Sequence, residues 1–260
     1  MAYITDKAID IVTTATLRPQ ILRKTYSSFC NHLFKGNRDK FRLILNVDPV
    51  GDHTYRPEDV ISEAKKFFPN MIANVPKEGH FTKAVMWCWN QVEAEYVFQL
   101  EDDWVLMRPL DINVMIHILD AYPKIASVRL FKGQWATAMT NKLAKRHFSS
   151  GRPYKCSYAS KKDKRRFQLY FRTYLNPSLY RGDYIKQAVK IMTPRKNPEA
   201  QLVAGFTDCP KLNSFANSWD YAVLTPNGVH RRVVRDIGRG WRVHQKIYRN
   251  TDFVKWKGRK

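Results

Sequence analysis

The residues with the clearest chemical meaning are three consecutive acids, Glu101, Asp102 and Asp103, which follow the apolar run at residues 96–100. Three adjacent carboxylates repel one another and gain nothing from burial unless a positive charge lies among them. Mg²⁺ and Mn²⁺ take oxygen ligands and often bind together with phosphates. The triplet therefore indicates a site for a metal-bound phosphate compound; the alternative is a solvated acidic turn after a strand.

The three acids are expected to act differently. Asp103 is predicted to be the direct metal ligand, and Glu101 to act on the metal through water or on a ribose hydroxyl. Asp102 is also assigned to binding of the phosphate compound and can face either way. A cation held here would bridge phosphate oxygens and neutralise charge that builds up on a leaving group.

A second group of candidates lies in the tail segment 235–242, which contains two glycines that allow the backbone to fold closely around a ligand. Arg239 and Arg242 can grip a diphosphate through paired N–H donors. Asp236 can complete the metal shell. The alternative interpretation is a basic tail with a flexible hinge.

Short polar residues after the first predicted strand form a third group. Thr13, Thr14 and Ala15, followed by Arg18, offer backbone and side-chain groups that can contact the edge of a nucleobase. Asp48, at the tip of the second predicted strand, would lie beside them, and its carboxylate can accept a hydrogen bond from a base N–H. The alternative is an ordinary strand end with a helix cap.

Sequence patterns of several other sites are missing. The chain has neither the G-x-x-x-x-G-K-[ST] pattern of a P-loop nor a G-x-G-x-x-G pattern after its first strand. It also has no H-E-x-x-H zinc pattern and no G-x-S-x-G nucleophile elbow. P-loop, dinucleotide-fold, zinc-protease and serine-hydrolase chemistry are therefore not indicated.

Alternating strands and helices must position these groups. Strands are predicted at residues 8–14, 41–47, 71–75, 96–100, 127–130 and 167–174, and helices follow Pro19 and lie at 57–68, 81–92, 112–119, 182–192 and 198–203. A turn is predicted at residues 48–52, and a long basic insertion at 132–172. The alternation predicts an α/β fold, with a mostly parallel sheet flanked by helices, in one domain spanning residues 1–260.

The charge of the chain is high and unevenly placed. The formal net charge is +22 in 260 residues. Residues 142–172 hold 11 basic residues against one acidic residue, and residues 229–260 hold 11 against two. This asymmetry predicts a polyanionic partner, with nucleic acid first and an anionic membrane surface second; the alternative is a solubilising basic surface. The candidate nucleic-acid contacts, which alternate with aromatic residues, are Lys161, Lys162, Lys164, Arg165, Arg166 and Arg172.

Composition bounds the class of protein. An apolar content of 44% with 13% aromatic residues is typical of a globular chain. The four cysteines have neither zinc-ligand nor redox spacing, and Cys30 and Cys88 fall on apolar helix faces, which predicts core positions. No signal peptide or membrane-spanning run is predicted. We therefore expect a monomer in the cytoplasm of the cell, with reduced thiols and without a transmembrane segment.

Together these features resemble the GT-A class of nucleotide-sugar-dependent glycosyltransferases, and the resemblance lies in the order of the motifs. The matching motifs are residues 13–19, which end in Arg-Pro; Asp48, where the family carries a uracil-contacting acid; residues 79–84, a glycine-led helix start; residues 101–103, similar to the D-x-D metal motif; and residues 236–239, similar to His-Ile-Gly-Arg with Asp in place of His. Segments 175–179 and 197–199 resemble acceptor-side segments of some members. The resemblance covers roughly the first 130 residues, with patches beyond.

The resemblance implies a donor half at residues 1–130, an acceptor half at 131–260, and a uridine diphosphate sugar as the donor, bound with Mn²⁺ or Mg²⁺. Lys83, within the helix-start motif, is placed with the donor-binding residues. If the reaction inverts the anomeric carbon, a base must take the acceptor proton. Glu199 is the first candidate for that base, and Asp208, followed by Asp220, is in reserve. A retaining reaction would not need this base.

The charge then bears on the acceptor. A basic, soluble GT-A enzyme resembles the phage enzymes that glycosylate hydroxymethylated pyrimidines in their own DNA. The predicted acceptor is 5-hydroxymethylcytosine in duplex DNA, flipped out of the helix with help from the inserted region. The cell would then be an infected bacterial host. The alternatives are a peripheral-membrane glycosyltransferase acting on a lipid-linked or surface glycan, and a non-enzymatic nucleic-acid-binding protein.

Overall fold

A strand that is buried along its whole length, β1 at Ile9–Leu17, lies near the middle of the sheet. The structure, a computed structural model, describes residues 7–35, 40–133, 167–170, 175–203, 209–225, 232–244, 247–249 and 256–258. The further strands are β2 (Phe41–Gly51), β3 (Met71–Asn74), β4 (Tyr96–Gln99), β5 (Trp104–Leu106), β6 (Ile125–Arg129), β7 (Phe167–Tyr170), β8 (Ser178–Arg181), β9 (Asp220–Leu224), β10 (Val234–Asp236), β11 (Ile247–Arg249) and β12 (Trp256–Gly258). The helices are α1 (Pro19–His32), α2 (Pro57–Lys65), α3 (Phe81–Asn90), α4 (Ile112–Ala121), α5 (Gly182–Ile191), α6 (Pro198–Gln201), α7 (Pro210–Asn217) and α8 (Gly238–His244).

The main sheet has eight strands in the order β3-β2-β1-β4-β8-β6-β9-β7. Strands β1 to β4 are mutually parallel, and β6 is parallel to β9. Strand β8 is antiparallel to both of its neighbours, and β7 is antiparallel to β9. The predicted α/β fold with a mostly parallel sheet is confirmed. Two-stranded antiparallel pairs, β5 with β10 and β11 with β12, stand apart from it.

Apolar side chains cover both faces of the sheet. On one face the aromatic rings of Tyr26, Phe29 and Phe34 pack in a cluster that includes residues from α1, α2 and α4. On the other face, residues of α3 and α5 pack with strand residues around Trp89 and Tyr184. Helices on both faces are what a parallel sheet requires, because its strands bury both sides. Cys30 and Cys88 are free and buried, so their predicted core positions are confirmed.

The predicted turn at residues 48–52 is wrong for most of its length. Strand β2 continues to Gly51, because the long strand β1 offers it a partner as far as Leu17. Gly51 has φ +128°, a conformation that favours glycine. The predicted strand at 167–174 ends at Tyr170 in the described residues, and most of the basic insertion lies outside them.

Strands β5, β8, β9 and β10 and helices α7 and α8 were not predicted. Each is short, and the strands pair with segments that are distant in sequence. Helix α8 lies where the alternative interpretation expected a flexible hinge. In the described part of the chain, no helix combines the length and the apolar character needed to cross a bilayer.

Candidate active site

The acid triplet lies at the carboxyl edge of the parallel strands, where open α/β sheets bind ligands. Strand β4 ends at Gln99, and the chain continues along β1: Leu100 N donates to Val12 O at 2.9 Å. Asp102 is held by its backbone as well, since its carbonyl oxygen accepts from Thr25 Oγ1 of α1 at 2.7 Å. The backbone of the acids is therefore fixed by β1 and α1 together.

Arg18 joins two of the three acids. Its Nε donates to Asp102 Oδ2 at 2.7 Å, and its Nη2 donates to Asp102 Oδ1 and, at 3.0 Å, to Asp103 Oδ2. The N–H of Thr16 adds a bond to Asp102 Oδ2 at 3.1 Å. The side chains of Arg18, Asp102 and Asp103 are each at most 4% exposed. Asp102 therefore faces inward, while Asp103 lies between Arg18 and the tail.

Burial and pairing act in opposite directions on these groups. Burial alone would lower the pKa of Arg18, but the charges of Asp102 and Asp103 outweigh it and raise the pKa above the ordinary value. Burial raises the pKa of Asp102, against the opposing effect of Arg18. The guanidinium therefore stays charged at neutral pH, and it supplies the positive charge that the adjacent acids require.

The tail reaches the acids through the β5–β10 pair. Asp236 lies opposite Trp104 in that pair, and Trp104 is the residue that directly follows the acid triplet in the sequence. Ile237 N then donates to Asp103 O at 2.8 Å. Arg242 Nη1 binds Asp103 Oδ2, and its Nη2 lies 3.3 Å from Asp236 Oδ2. Asp103 and Asp236 therefore converge on one guanidinium, although they are distant in the chain.

Asp236 also caps helix α8, which begins two residues later. Its Oδ1 accepts from Gly238 N at 2.8 Å and from Arg239 N at 3.1 Å, which are helix-start donors without a partner inside the helix. The side chain of Arg239 is exposed. Of the two tail arginines assigned to a diphosphate, Arg242 is thus the one that lies against the acids.

Trp241 covers the buried arginine. Its ring centre lies 5.1 Å from Arg18 Cζ, within the range of a cation–π contact. A Cβ on Gly51 would lie 3.0 Å from Trp241 Cη2, so the end of β2 is close to this ring as well. The contacts of Trp241 and Gly238 join α8 to the first half of the chain.

A row of polar residues crosses three neighbouring strands near this edge. Thr14, Asn46 and Asn74 are register partners on β1, β2 and β3. Asn74 Nδ2 donates to Asn46 Oδ1 at 2.7 Å, and Asn46 Nδ2 donates to Asp48 Oδ1 at 2.9 Å. Asp48 is buried, 3% exposed, and one of its oxygens is oriented by an amide. The row fits a surface that contacts a nucleobase.

Other residues that were predicted to bind the nucleotide-sugar donor are less directly placed for that role. Thr13 and Ala15 alternate with Thr14, and Ala15 packs in the opposite apolar cluster, so alternation puts both away from the polar row. Lys83 is exposed in the first turn of α3. The Oε2 of Glu101, a half-buried residue, accepts from Trp104 Nε1 at 3.4 Å.

The predicted base, Glu199, lies in α6, outside the acid network. Its Oε1 accepts a hydrogen bond from Leu175 N at 2.9 Å, and Asn197 Oδ1 caps the helix by accepting from Glu199 N at 2.8 Å. Within the part of the chain that the structure describes, Glu199 has no hydrogen bond or ion pair to the triplet. Asp220, a reserve candidate for the base, is the first residue of β9.

Several predicted residues cannot be placed. Asp208 and the nucleic-acid candidates Lys161, Lys162, Lys164, Arg165, Arg166 and Arg172 lie outside the described residues. Their roles stay predictions.

The carboxylates that meet at Arg242 can be tested as ligands for a divalent cation. In the described ranges, no group of three or more His, Cys, Asp or Glu side chains is arranged to hold a metal. Mg²⁺, however, is usually held by one or two carboxylates together with substrate phosphates. Asp103 and Asp236 are two such carboxylates, and both contact Arg242, so a cation would bind them in place of that guanidinium. The residue types fit a cation that a phosphate ligand completes.

Sequence reasoning missed three features of this site: Asn46, Asn74, and the role of Trp241 as a cover for Arg18. The alternating pattern of β2 places Asn46 and Asp48 on one face, so this pair was accessible from the sequence. The contacts of Gly238 and Trp241 could not be predicted from the sequence, because they depend on how α8 packs against the rest of the protein.

No protein-family model and no curated protein sequence matches the chain. Solved structures do match. The mannosyltransferase PcManGT from Pyrobaculum calidifontis, in complex with GDP-Man and Mn²⁺, aligns with a TM-score of 0.54 at 11% identity, over 93% of this chain and 61% of that one. The chain has a GT-A fold. S. aureus TarS 1-349 in complex with UDP aligns with a TM-score of 0.49 at 10% identity, over 84% of this chain and 58% of that one.

At these identities the likeness is one of fold. The chain spans about three fifths of the length of the solved structures described above. The acids and arginines lie together at the carboxyl edge of the parallel strands, and their role in binding a nucleotide sugar stays a prediction.

Proposed function

We propose that this GT-A-fold protein is a glycosyltransferase that takes a sugar from a nucleoside diphosphate sugar, with uridine diphosphate as the preferred carrier. The observation that carries the proposal is the meeting of Asp103, Asp236 and Arg242 at the carboxyl edge of the sheet. Two carboxylates and a partly exposed guanidinium are the groups that a cation-bound diphosphate requires.

The base would bind at the polar row. Asp48 can accept a hydrogen bond from the N3–H of uracil, and Asn46 orients its carboxylate for that contact. The phosphates would then extend along the edge toward Arg242, whose side chain is 24% exposed and therefore accessible. PcManGT, which shares the fold, was solved with GDP-Man and Mn²⁺. That complex supports a nucleotide-sugar donor for this chain.

Asp103 and Asp236 would hold the divalent cation, with Glu101 near it, and the cation would neutralise charge on the leaving diphosphate. Arg242 binds and orients the same diphosphate through its N–H groups. Because it stands at the point where negative charge develops, it stabilises the leaving group electrostatically. Arg239, exposed one turn earlier, can add a further contact to the phosphates.

In the transfer, the acceptor hydroxyl oxygen forms a bond to the anomeric carbon, and the bond from that carbon to the diphosphate oxygen breaks. If the configuration inverts, Glu199 is the proposed base that takes the hydroxyl proton. Its bond to Leu175 N would fix the direction of the carboxylate. If the configuration is retained, the departing diphosphate can take the proton instead and no protein base is needed.

For the acceptor, we propose 5-hydroxymethylcytosine in duplex DNA. The support is the net charge of +22 and the concentration of basic and aromatic residues at 161–172. Basic residues of this kind bind phosphates, and aromatic residues stack on exposed bases. A base inside a duplex must be flipped out before its substituent can be reached.

The test is a panel of uridine and guanosine diphosphate sugars, offered with Mn²⁺ and with hydroxymethylated duplex DNA, and read by mass spectrometry of the digested nucleosides. We expect one added sugar per modified base, and no addition with Asp103→Asn. DNA affinity should fall steeply as salt rises. Donor hydrolysis with no transfer to DNA, together with binding to anionic vesicles, would favour a membrane-bound acceptor. DNA binding without donor turnover would show a non-enzymatic protein.

A further inference from the structure

Arg18 has more contacts in the site than the sequence motif suggested. It is 3% exposed, lies at the start of α1, and binds Asp102 through two nitrogens and Asp103 through one of them. Its Cζ also lies over the ring of Trp241, 5.1 Å from the ring centre. It therefore contacts both the acids and the tail helix, which approach the site from different parts of the chain.

The direction of the guanidinium shows that it lies behind the acids. Two of its nitrogens are used by carboxylates. The third, Nη1, would lie 2.6 Å from a Cβ built on Gly238, so it faces the backbone at the start of α8. A diphosphate in front of Asp103 would meet Arg242, which is more exposed, and not Arg18.

We propose that Arg18 is a positioning residue: it orients Asp103 for the donor and anchors helix α8 to the acid triplet through Trp241. Its effect on the donor rests on the proposed function. Its effect on α8 does not, because the contacts exist in the protein alone. The planar guanidinium is required, since a lysine ammonium can neither bind Asp102 with two parallel bonds nor stack flat on the indole.

Strand β1 provides a matched control at its other end. Asp10, also buried, is bound by Arg42 Nε and Nη2, both at 2.8 Å. Arg42, on β2, is 20% exposed, and Arg42→Lys removes the same paired geometry from a carboxylate of β1, far from the triplet. The comparison of Arg18→Lys with Arg42→Lys separates a local effect on the site from the general cost of losing an arginine that binds a buried carboxylate through two nitrogens.

The first measurement is tryptic cleavage of the nucleotide-free protein after Arg239 and Arg242, followed by mass spectrometry. If Arg18 anchors α8, Arg18→Lys cleaves several-fold faster there than the wild type, and Arg42→Lys cleaves at the wild-type rate. Trp241→Leu should match Arg18→Lys, and the double variant should be no faster than either single variant, because one contact has been removed twice. Equal cleavage in Arg18→Lys and Arg42→Lys overturns the proposal.

The second measurement is binding of uridine mono- and diphosphate with Mn²⁺ by calorimetry. Arg18→Lys should weaken the binding of uridine diphosphate by about tenfold or more, as for other residues that orient a ligating group. The substitution should leave the affinity for uridine monophosphate nearly unchanged, because the monophosphate reaches less far toward Asp103. Equal loss of both nucleotides contradicts a positioning role. If the wild type binds neither nucleotide, the proposed function fails, while the cleavage result still decides the role of Arg18 in holding α8.

Arg18→Lys must be folded for these comparisons, which circular dichroism and thermal unfolding establish. If it does not fold, Trp241→Leu carries the test, since that ring is half-buried and its loss leaves the ion pairs in place. Slow cleavage of Trp241→Leu, at the wild-type rate, would then count against the proposal.

Discussion

Gly238 lies directly against Asp103: a Cβ built on the glycine would be 2.5 Å from the Cβ of Asp103, closer than two carbons can approach. The backbone of α8 reaches the acid triplet only because this position has no side chain. The glycine of the tail motif thus permits a close helix contact, whereas sequence reasoning predicted that it lets the backbone fold closely around a ligand.

Gly238→Ala is therefore expected to displace α8 from the acids, and Gly240→Ala is not. Among the described residues, and apart from its chain neighbours and the helix's own backbone, no atom lies within 4 Å of a Cβ built on Gly240. Alanine is favoured over glycine inside a helix by about 1 kcal/mol. We expect Gly238→Ala to lose donor binding and transfer, and Gly240→Ala to keep both and unfold at an equal or higher temperature. Calorimetric binding and thermal unfolding check this. Wild-type donor affinity in Gly238→Ala would show that α8 adapts to the added methyl group.

Asp236 combines two roles that two substitutions can separate. Its Oδ1 accepts from the first N–H groups of α8, and its Oδ2 faces Arg242. Asparagine can keep the first role, whereas alanine loses both, at a cost of about 1 kcal/mol for the lost cap. We expect Asp236→Asn to unfold like the wild type and Asp236→Ala to be less stable. Both should bind Mn²⁺ more weakly in the presence of uridine diphosphate, as measured by electron paramagnetic resonance. Unchanged Mn²⁺ affinity in both would exclude Asp236 from the metal shell.

Asp48→Asn should change the choice of base. Asn46 Nδ2 donates to Oδ1 of Asp48, so an asparagine there would keep its amide oxygen on Asn46 and present its NH₂ group. An NH₂ group suits the N3 acceptor of cytosine better than the N3–H of uracil. We expect uridine diphosphate to bind roughly thirtyfold more weakly, the value of one charged hydrogen bond, and cytidine diphosphate to gain in relative affinity. Asp59→Asn, at an exposed position of α2, is the control. An unchanged preference would place the base elsewhere.

Glu199→Gln tests the proposed base without removing its structural bond. A glutamine oxygen can still accept from Leu175 N, so the free energy of unfolding should hardly change. Glutamine cannot take a proton, so an inverting enzyme should lose about 10²-fold to 10⁴-fold in transfer rate. Single-turnover kinetics with a saturating donor measure this loss. A variant that transfers at the wild-type rate would indicate that another group, or a retaining reaction, is involved.

The Glu63 carboxylate predicts a pH dependence of stability. Hydrogen bonds from Arg23, opposed by burial and helped by Lys66, lower its pKa from 4.5 to about 2. A carboxylate with a depressed pKa stabilises the fold above its unfolded pKa and loses that stabilisation as pH falls through the folded pKa. The difference in free energy of unfolding between wild type and Glu63→Gln should thus be constant above about pH 4.5 and shrink toward pH 2. Urea titrations at several pH values measure it, and a difference that does not change with pH contradicts the pairing.

The sequence predicted the elements whose pattern is long or self-contained. In α1, Leu22, Tyr26 and Phe29 recur at helical spacing and are buried as expected. Strands β5 and β10 have three residues each, and a pattern of that length does not distinguish a strand from a loop. Strand β8 enters the sheet between β4 and β6 through pairings with distant segments, which single-sequence periodicity does not contain.

The site was predicted in its residue types and only partly in its connections. The acids at the end of β4 lie at the sheet edge as expected, because strand ends in a parallel sheet share that edge. The partner of Asp102, however, is Arg18, 84 residues earlier. The sequence showed that a positive charge was needed beside the triplet, and a cation was inferred to supply it. The pattern of the acids alone does not show that Arg18 lies beside them in the fold.

The contact between Arg242 and Asp103 joins residues 139 positions apart in the chain. Closing so long a loop has a large entropic cost, and such contacts tend to form late in folding. During synthesis, the first strands can pair while the last part of the site has not yet been translated. The contact between Asp103 and Arg242 can therefore form only after residue 242 has been synthesised, when the strands that hold the acids are already in place.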